Sequence, residues 1–443
     1  MPHSHNQLFS RQALGWLCAA ATLISVGARA DWPEFRGPTG DGYVPVAGGT
    51  RLAGLPLRWS ETENLRWRTP IHDRGLSTPV ILSNQVWLTT ATEAGHDFFV
   101  LCLDAATGKV LFDEKLFHCD NPESQGNNVN SYATPSPVIE PGRVYVHFGS
   151  YGTACLDTAT HQVLWQRQDL PCRHFRGASS SPVLFENLLI LTLDGADLQY
   201  LVALDKQTGK TVWKTNRSVA WNDADSTDSL TRQGDRRKAH STPLLIEFAG
   251  KPQLLSAGAK AAYAYDPRTG RELWRVRHEA WSAASRPVYK DGLAFFISGF
   301  GGPTELLAVR VDGQGDVTDS HIVWRKADKF VPKTPSPILV EGLLYLVSDA
   351  GVVSCLECKT GREVWHESVG GSYAASPIFG DGRLYFCNQQ GKTTVMQPGQ
   401  TSQILATNVL ANGMLASPAV SGKALFLRTR TDLVCIESGR PVE

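Results

Sequence analysis

Several places in this 443-residue sequence carry residues at spacings that can do chemistry. The stretch "SCLECKTGREVW" holds Cys355 and Cys358 as C-x-x-C, a spacing used for zinc and for thiol–disulfide exchange. His118–Cys119 and Cys172-x-His174 form a second set. Together they offer a zinc quartet or, in an oxidising compartment, a Cys119–Cys172 disulfide contributing roughly 2–4 kcal/mol. The disulfide is the expectation carried forward, with no metal site. His147 lies in the apolar run "VYVHF" and reads as a packed strand residue. Asp194 and Asp197 in "LDGADLQ" are a carboxylate pair of the acid–base type. A turn rich in Asp and Gly accounts for them more simply. The sequence contains no G-x-S-x-G, no phosphate-binding loop and no H-E-x-x-H.

The elements that must position these residues are repeats. "LDAATGKVLF" at 103 returns as "LDTATHQVLW" at 156, "LDKQTGKTVW" at 204, "YDPRTGRELW" at 265 and "LECKTGREVW" at 356. Degenerate copies stand at 311, "VDGQGDVTDSHIVW", and 397, "QPGQTSQIL". A second element precedes each, centred on prolines 79, 137, 182, 243, 287, 337, 377 and 418. The spacing suits a four-stranded propeller blade. Ser/Thr-Pro opens strand A, where proline is tolerated. Strand B is apolar, strand C ends in Leu-Asp, the Thr-Gly turn supplies a positive φ, and strand D carries a tryptophan. Trp165, Trp213, Trp274, Trp324 and Trp365 are expected to cover the seam with the next blade, each burial contributing roughly 1.5–3 kcal/mol. Phe112 and Leu405 replace them in the first and seventh units. The eighth unit lacks strand D, and "NLRWRTPI" at 64, with Trp67, is an orphan one. The fold expected is all-β: an eight-bladed propeller whose last blade is closed by this N-terminal strand, which removes exposed edges.

The alignment also reinterprets the C-x-x-C. Cys355 falls on Cys102, Cys155 and Cys435, and on Ala203, Ala264, Ala308 and Val395 elsewhere, a small apolar slot on strand C. Cys358 falls in the turn. The two thiols should face different surroundings.

The Ser-Pro opening, the Leu-Asp-x-x-Thr-Gly-Lys turn and the following Trp resemble the PQQ-like propeller repeat, found in quinoprotein alcohol dehydrogenases and the outer membrane assembly factor BamB. "DWPEFRGPTGDG" at 31 is similar to the start of secreted PQQ-repeat proteins. The resemblance implies PQQ with calcium as a cofactor, yet this chain has no adjacent cysteine pair and no stretch matching the calcium ligands. No cofactor is therefore expected.

Arg11 precedes the apolar run "ALGWLCAAATLISVG", and Ala28–Arg29–Ala30 follows it. Residues 1–30 read as a secretory signal peptide cleaved near Ala30, too short to span a bilayer, which takes about 20 apolar residues. Residues 31–443 then form the propeller, periplasmic or secreted. The whole chain has 43 Lys and Arg against 43 Asp and Glu. Losing Arg11 and Arg29 leaves it slightly acidic, which excludes a global attraction to nucleic acid.

The A–B turns are short, whereas D–A loops run long at 116–134 and 217–240 and B–C loops extend at 92–97, 194–199 and 299–304. Both long types emerge on one face, where function concentrates. Residues just before each Ser-Pro are expected to ring the channel mouth: Arg74, Tyr132, Arg176, Lys238, Trp281, Lys333 and Tyr373. His174, His240 and Arg286 lie close in sequence. The cationic bias favours an anionic ligand. The expected partners are an envelope protein or an anionic small molecule or polymer, with no nucleic acid, no membrane span and a monomeric chain. The function expected is a non-enzymatic binding or scaffold module. A PQQ-dependent oxidoreductase and a carbohydrate-acting enzyme are the alternatives.

Overall fold

Each unit becomes a twisted four-stranded antiparallel blade, because its four short apolar runs are joined by turns too tight for anything but consecutive pairing. The computed structural model describes residues 31–44, 53–126, 129–301 and 304–441. The expected signal peptide lies outside them. Blade 1 consists of Val80–Leu82, Gln85–Ala91, Asp97–Asp104 and Val110–His118, paired in that order. Blades 2 to 7 repeat the pattern. Blade 8 takes three strands from Ala419–Ser421, Ala424–Arg428 and Asp432–Pro441 and its outermost from Glu63–Pro70. That closing strand is antiparallel, with Trp67 opposite Cys435 and Thr69 opposite Leu433. Among the described residues no helix is long and apolar enough to cross a membrane.

The rim tryptophans dock as the repeat implies. The indole N–H of Trp67 donates to Ala105 O (3.2 Å), of Trp165 to Lys206 O (3.0 Å), of Trp213 to Pro267 O (3.1 Å), of Trp324 to Cys358 O (2.9 Å) and of Trp365 to Gly399 O (2.9 Å). Each acceptor lies in the C–D turn of the next blade. The turn glycine has two duties there. Gly108, Gly209, Gly270 and Gly361 hold φ between +70° and +73°. A methyl group on any of them would come within 2.5–2.7 Å of the ring of Trp67, Trp165, Trp213 or Trp324. Cys355 and Cys358 fall into different inter-blade cores, Cys355 with Tyr345 and Ile338, Cys358 with Trp324 and Leu356.

The seams of Phe112, Trp274 and Leu405 depart from this. Blade 1 carries Phe112, and the turn it meets carries His161 where the turns under Trp67, Trp165, Trp213 and Trp324 have glycine, with ring centroids 4.8 Å apart. Trp274 turns inward instead, donating to Gln253 Oε1 of its own blade (3.1 Å). The expanded turn of blade 5 explains this: Gly315–Asp316 adds a fifth strand, parallel, to the edge of blade 4, with Gly315 opposite Trp274.

At the axis the Ser/Thr-Pro hydroxyls form a circumferential belt. The backbone N–H of Thr78 donates to Ser136 Oγ, of Ser136 to Ser181 Oγ and of Ser181 to Thr242 Oγ1, each at 2.9 Å. Arg286, Ser336 and Ser376 continue the chain to Ser336, Ser376 and Ser417 at 2.9–3.0 Å. Between blades 4 and 5, where Arg286 replaces the hydroxyl, Ser241 Oγ donates to Ser285 O (2.8 Å) instead.

The segment 31–44 crosses the ring. Trp32 exchanges two backbone hydrogen bonds with Ile81 of blade 1, and Ile139 N–H of blade 2 donates to Pro33 O (2.9 Å). Arg286 of blade 5 donates to Phe35 O and to Glu34 Oε1 (3.0 Å). The Tyr43 hydroxyl donates to Leu339 O of blade 6, and Val44 and Gly42 bond Phe379 of blade 7. Blades 1 and 5 oppose one another in an eight-bladed ring, so the segment passes over the axis. Its partners Ile81, Ile139 and Phe379 lie beside the A–B turns, and it closes the channel on that face.

Candidate binding site

Side chains alternate along a strand, so the Ser/Thr of each A strand and the residue two before it both face the axis. The lower ring is the hydroxyl belt. The upper ring includes Leu76, Thr134, Ser179, His240, Ala284, Thr334, Ala374 and Leu415. They enclose a cavity of ≈ 360 Å³ with Phe35 of the crossing segment at its end. Its mouth, on the long-loop face, is formed by Val129, Asn130, Arg176, Asp235, Lys238, Trp281 and Phe300. The channel is thus a blind pocket.

Its charges come from two loops. In the loop 217–240, Asp228 accepts from Leu230 N–H to cap the short helix Ser229–Arg232. Gly234 then holds φ +82°, and a Cβ there would lie 1.9 Å from Ala196 O, so only glycine lets the loop seat on the 194–199 loop. This places Asp235 and Lys238 side by side. Lys238 Nζ donates to Asp235 Oδ1 and to Asp235 O (2.7 Å). Arg176 Nε lies 3.5 Å from the same carboxylate oxygen. Arg176 itself holds φ +89°, a conformation costly for a residue with a side chain. Asn130 Nδ2 clamps it by donating to Arg176 O and to Ser179 Oγ, both 2.8 Å. Burial lowers the Lys238 ammonium below the usual lysine value, against the pull of Asp235. Burial, reinforced by Lys238, holds the His240 imidazole down to about 3, so it is neutral. Among the described residues the His240 ring has no hydrogen-bond partner, and it faces the cavity.

Of the residues expected at the mouth, Arg176, Lys238, His240 and Trp281 meet at this pocket. Trp281 is fixed by Arg236 and Lys260, 4.7 and 5.7 Å from its ring. Lys333 stands exposed outside, its ammonium 5.3 Å from the Phe300 ring. Arg74 and Tyr132 line a separate shallow groove with Glu93, His96 and Asp120. Three residues lie elsewhere. Tyr373 is buried in the core between blades, with Val369 and Leu384. His174 is buried, its Nε2 accepting from Ser150 N–H (3.0 Å), and burial lowers it to about 4. Arg286 sits at the closed end, holding the crossing segment.

The expected Cys119–Cys172 bridge is not formed: both are free thiols. Cys172 packs under its loop, with Sγ 3.8 Å from His174 Nδ1 and from Leu198 O. Cys119 packs against the core between blades 1 and 2. His118 is drawn instead to Asp97 and Asp120 (2.7 and 3.1 Å). Asp194 is committed to a buried bidentate pair with Arg217 at 2.6 and 3.0 Å, and Asp197 accepts the Arg173 N–H. His147 is a packed strand residue held neutral, its Nδ1 2.8 Å from Thr153 Oγ1. Sequence reasoning missed Asp235, Phe300, Phe35 and the hydroxyl belt. The belt had a signal in the recurrence of Ser or Thr at one position in seven of eight units.

The pocket does not fit a calcium-bound quinone. Asp235, the one carboxylate among its lining residues, is already shared by two cations. Among the described residues no group of three or more His, Cys, Asp or Glu is gathered as metal ligands.

A family model described as outer membrane protein assembly factor BamB matches residues 30–168, 60–239 and 197–440. The chain belongs to this PQQ-repeat propeller family. The chain is 22% identical over 352 residues to the tetrathionate hydrolase of Acidithiobacillus ferrooxidans, covering 74% of this chain and 66% of that protein, just under two thirds of the relative's length. BamB from Moraxella catarrhalis superposes with a TM-score of 0.57 at 12% identity, covering 84% of this chain and 99% of that one. Quinohemoprotein alcohol dehydrogenase from Comamonas testosteroni gives 0.65 at 12% identity, covering 94% and 82%. At these identities the solved structures establish the fold, which hosts unrelated functions.

Proposed function

We propose that this chain is an exported propeller that works as a binding module, holding a small anion in the blind axial pocket. One observation carries the reading: Arg176 and Lys238 meet at the mouth of a ≈ 360 Å³ cavity, beside an imidazole without a hydrogen-bond partner among the described residues. Such a volume suits a small molecule, and cations at a narrow, low-dielectric mouth concentrate anions. The N-terminal thirty residues support export. The relative named tetrathionate hydrolase directs the choice of probes to sulfur oxyanions, of which monovalent organic sulfonates match the charge of the pocket. Calorimetric titration of the mature protein with these anions should give saturable binding, weakened tenfold or more by Lys238→Met. Binding unaffected by Lys238→Met, or no binding of any anion, would overturn the reading.

A further inference from the structure

The charges around the pocket do not cancel, and their placement is one-sided. Arg176 and Lys238 contribute two positive charges and share the single carboxylate of Asp235. His240 is neutral. The wall therefore carries one surplus positive charge. It is desolvated at Lys238 and Asp235, 2% and 9% exposed, and half-buried at Arg176. Nearby cations of the 217–240 loop and of the Arg286 anchor have carboxylates of their own. Arg236 pairs with Asp228, Arg237 with Asp223 and Arg286 with Glu34. Lys333 stands exposed, where solvent screens it. The opposite wall lines the cavity with no charge, only Leu76, Ala374, Leu415 and the belt hydroxyls, and the closed end is Phe35; Arg428 is buried behind that wall, donating to Ser77 Oγ (2.6 Å), and Arg36 beside Phe35 donates to Asp41 O (2.6 Å).

We infer that the ligand is a monoanion, a carboxylate or sulfonate on an uncharged, partly apolar body, with its head at Arg176 and Lys238 and its body directed toward Phe35. This rests on the anion reading above and narrows it. A second negative charge in the same pocket would meet no further cation in its lining, and a buried unpaired charge is expensive. Asp235 acts here as a positioning residue, setting both cations and the charge balance without touching the ligand.

The test is calorimetry on the mature protein at fixed ionic strength with three probes of one body: benzenesulfonate, benzene-1,3-disulfonate and uncharged benzenesulfonamide. Benzenesulfonate should bind at least tenfold more tightly than the other two. Asp235→Asn, which adds one unit of surplus charge, should erase or reverse the margin over the disulfonate. Lys238→Met, which removes it, should make the sulfonamide the best of the three. Disulfonate binding as tightly as monosulfonate to the wild type would overturn the monoanion inference and leave the anion reading standing. The sulfonamide binding best to the wild type, or no sulfonate binding at all, would overturn both.

Discussion

The outer seams and the axial belt are built from the same eight units, and they treat a departure from the repeat in opposite ways. At the rim, the departures at Phe112 and Trp274 are answered next door. Phe112 in place of tryptophan meets His161 in place of glycine, so the total ring volume across the seam is kept. The expanded turn of blade 5 takes away the dock for Trp274 and supplies an extra strand over it. At the axis a Ser241–Ser285 bond bridges the gap, but the departing side chain is put to another use. Arg286 breaks the run of hydroxyls, and its guanidinium leaves the belt to hold the segment 31–44. Lys238, Asp235 and Arg176 gather on one wall only. Rim departures preserve the ring, whereas axial departures break its symmetry and build the blind pocket.

The comparison can be broken most forcefully at the rim. Trp365→Ala removes a seam ring and its bond to Gly399 O, and should cost roughly 3–5 kcal/mol in chemical denaturation. An unchanged midpoint would deny the seams their role. At the axis, Arg286→Ser restores the repeat but strands Glu34, whose carboxyl burial already raises above its usual value. The expected cost is about 3 kcal/mol, at the lower end for a broken buried pair, with new protease cleavage within 31–44. Adding Glu34→Gln should recover part of it. A consensus serine that stabilises would mean the segment is not anchored there.

Acid acts on both regions through buried histidines. Burial holds His147 and His240 to about 3 and His174 and His278 to about 4. Their stability contribution is complete above the unfolded value near 6.5 and is lost as pH falls from there toward 3–4, because the unfolded chain takes up protons the folded one refuses. Each contributes a slope of about 1.4 kcal/mol per pH unit in that window. Denaturation midpoints between pH 7 and 5 should fall accordingly, and less steeply in His147→Gln. The smallest effect sharpens the rim: Phe112→Trp with His161→Gly should be more stable than the sum of the single changes by about 1 kcal/mol. Strict additivity would separate the two positions energetically.

Much of the ring was legible in the sequence because it depends on local periodicity. The prolines, the Thr-Gly turns and the orphan "NLRWRTPI" specified eight blades and their closure. Aligning Cys355 with alanines and Cys358 with turn residues foretold their separate cores. The site was legible only in part. Arg176, Lys238 and Trp281, counted back from their Ser-Pro, line one cavity together with His240 beside them in sequence. The same count also reaches Arg74, Tyr132 and Lys333, which lie outside that cavity, and Tyr373, which lies in a core between blades, since a loop's residues do not all turn to the axis. Arg286 was read as one more cation, although it is the one residue without a hydroxyl at the belt position. What it holds lies about 250 residues away in the chain, and no local pattern encodes that partner. Asp235, which balances the charge, was likewise invisible until the loop at Gly234 folded back.

The crossing of the axis by residues 31–44 is the feature on which the blind pocket depends, and amide hydrogen exchange on the mature protein measures it directly. Backbone bonds at Trp32, Gly42 and Val44 tie the segment to blades 1 and 7. The account predicts exchange from 31–44 as slow as from the blade strands it joins. Exchange at the rate of the exposed loop 217–228 would contradict it, leaving an open channel in place of a pocket.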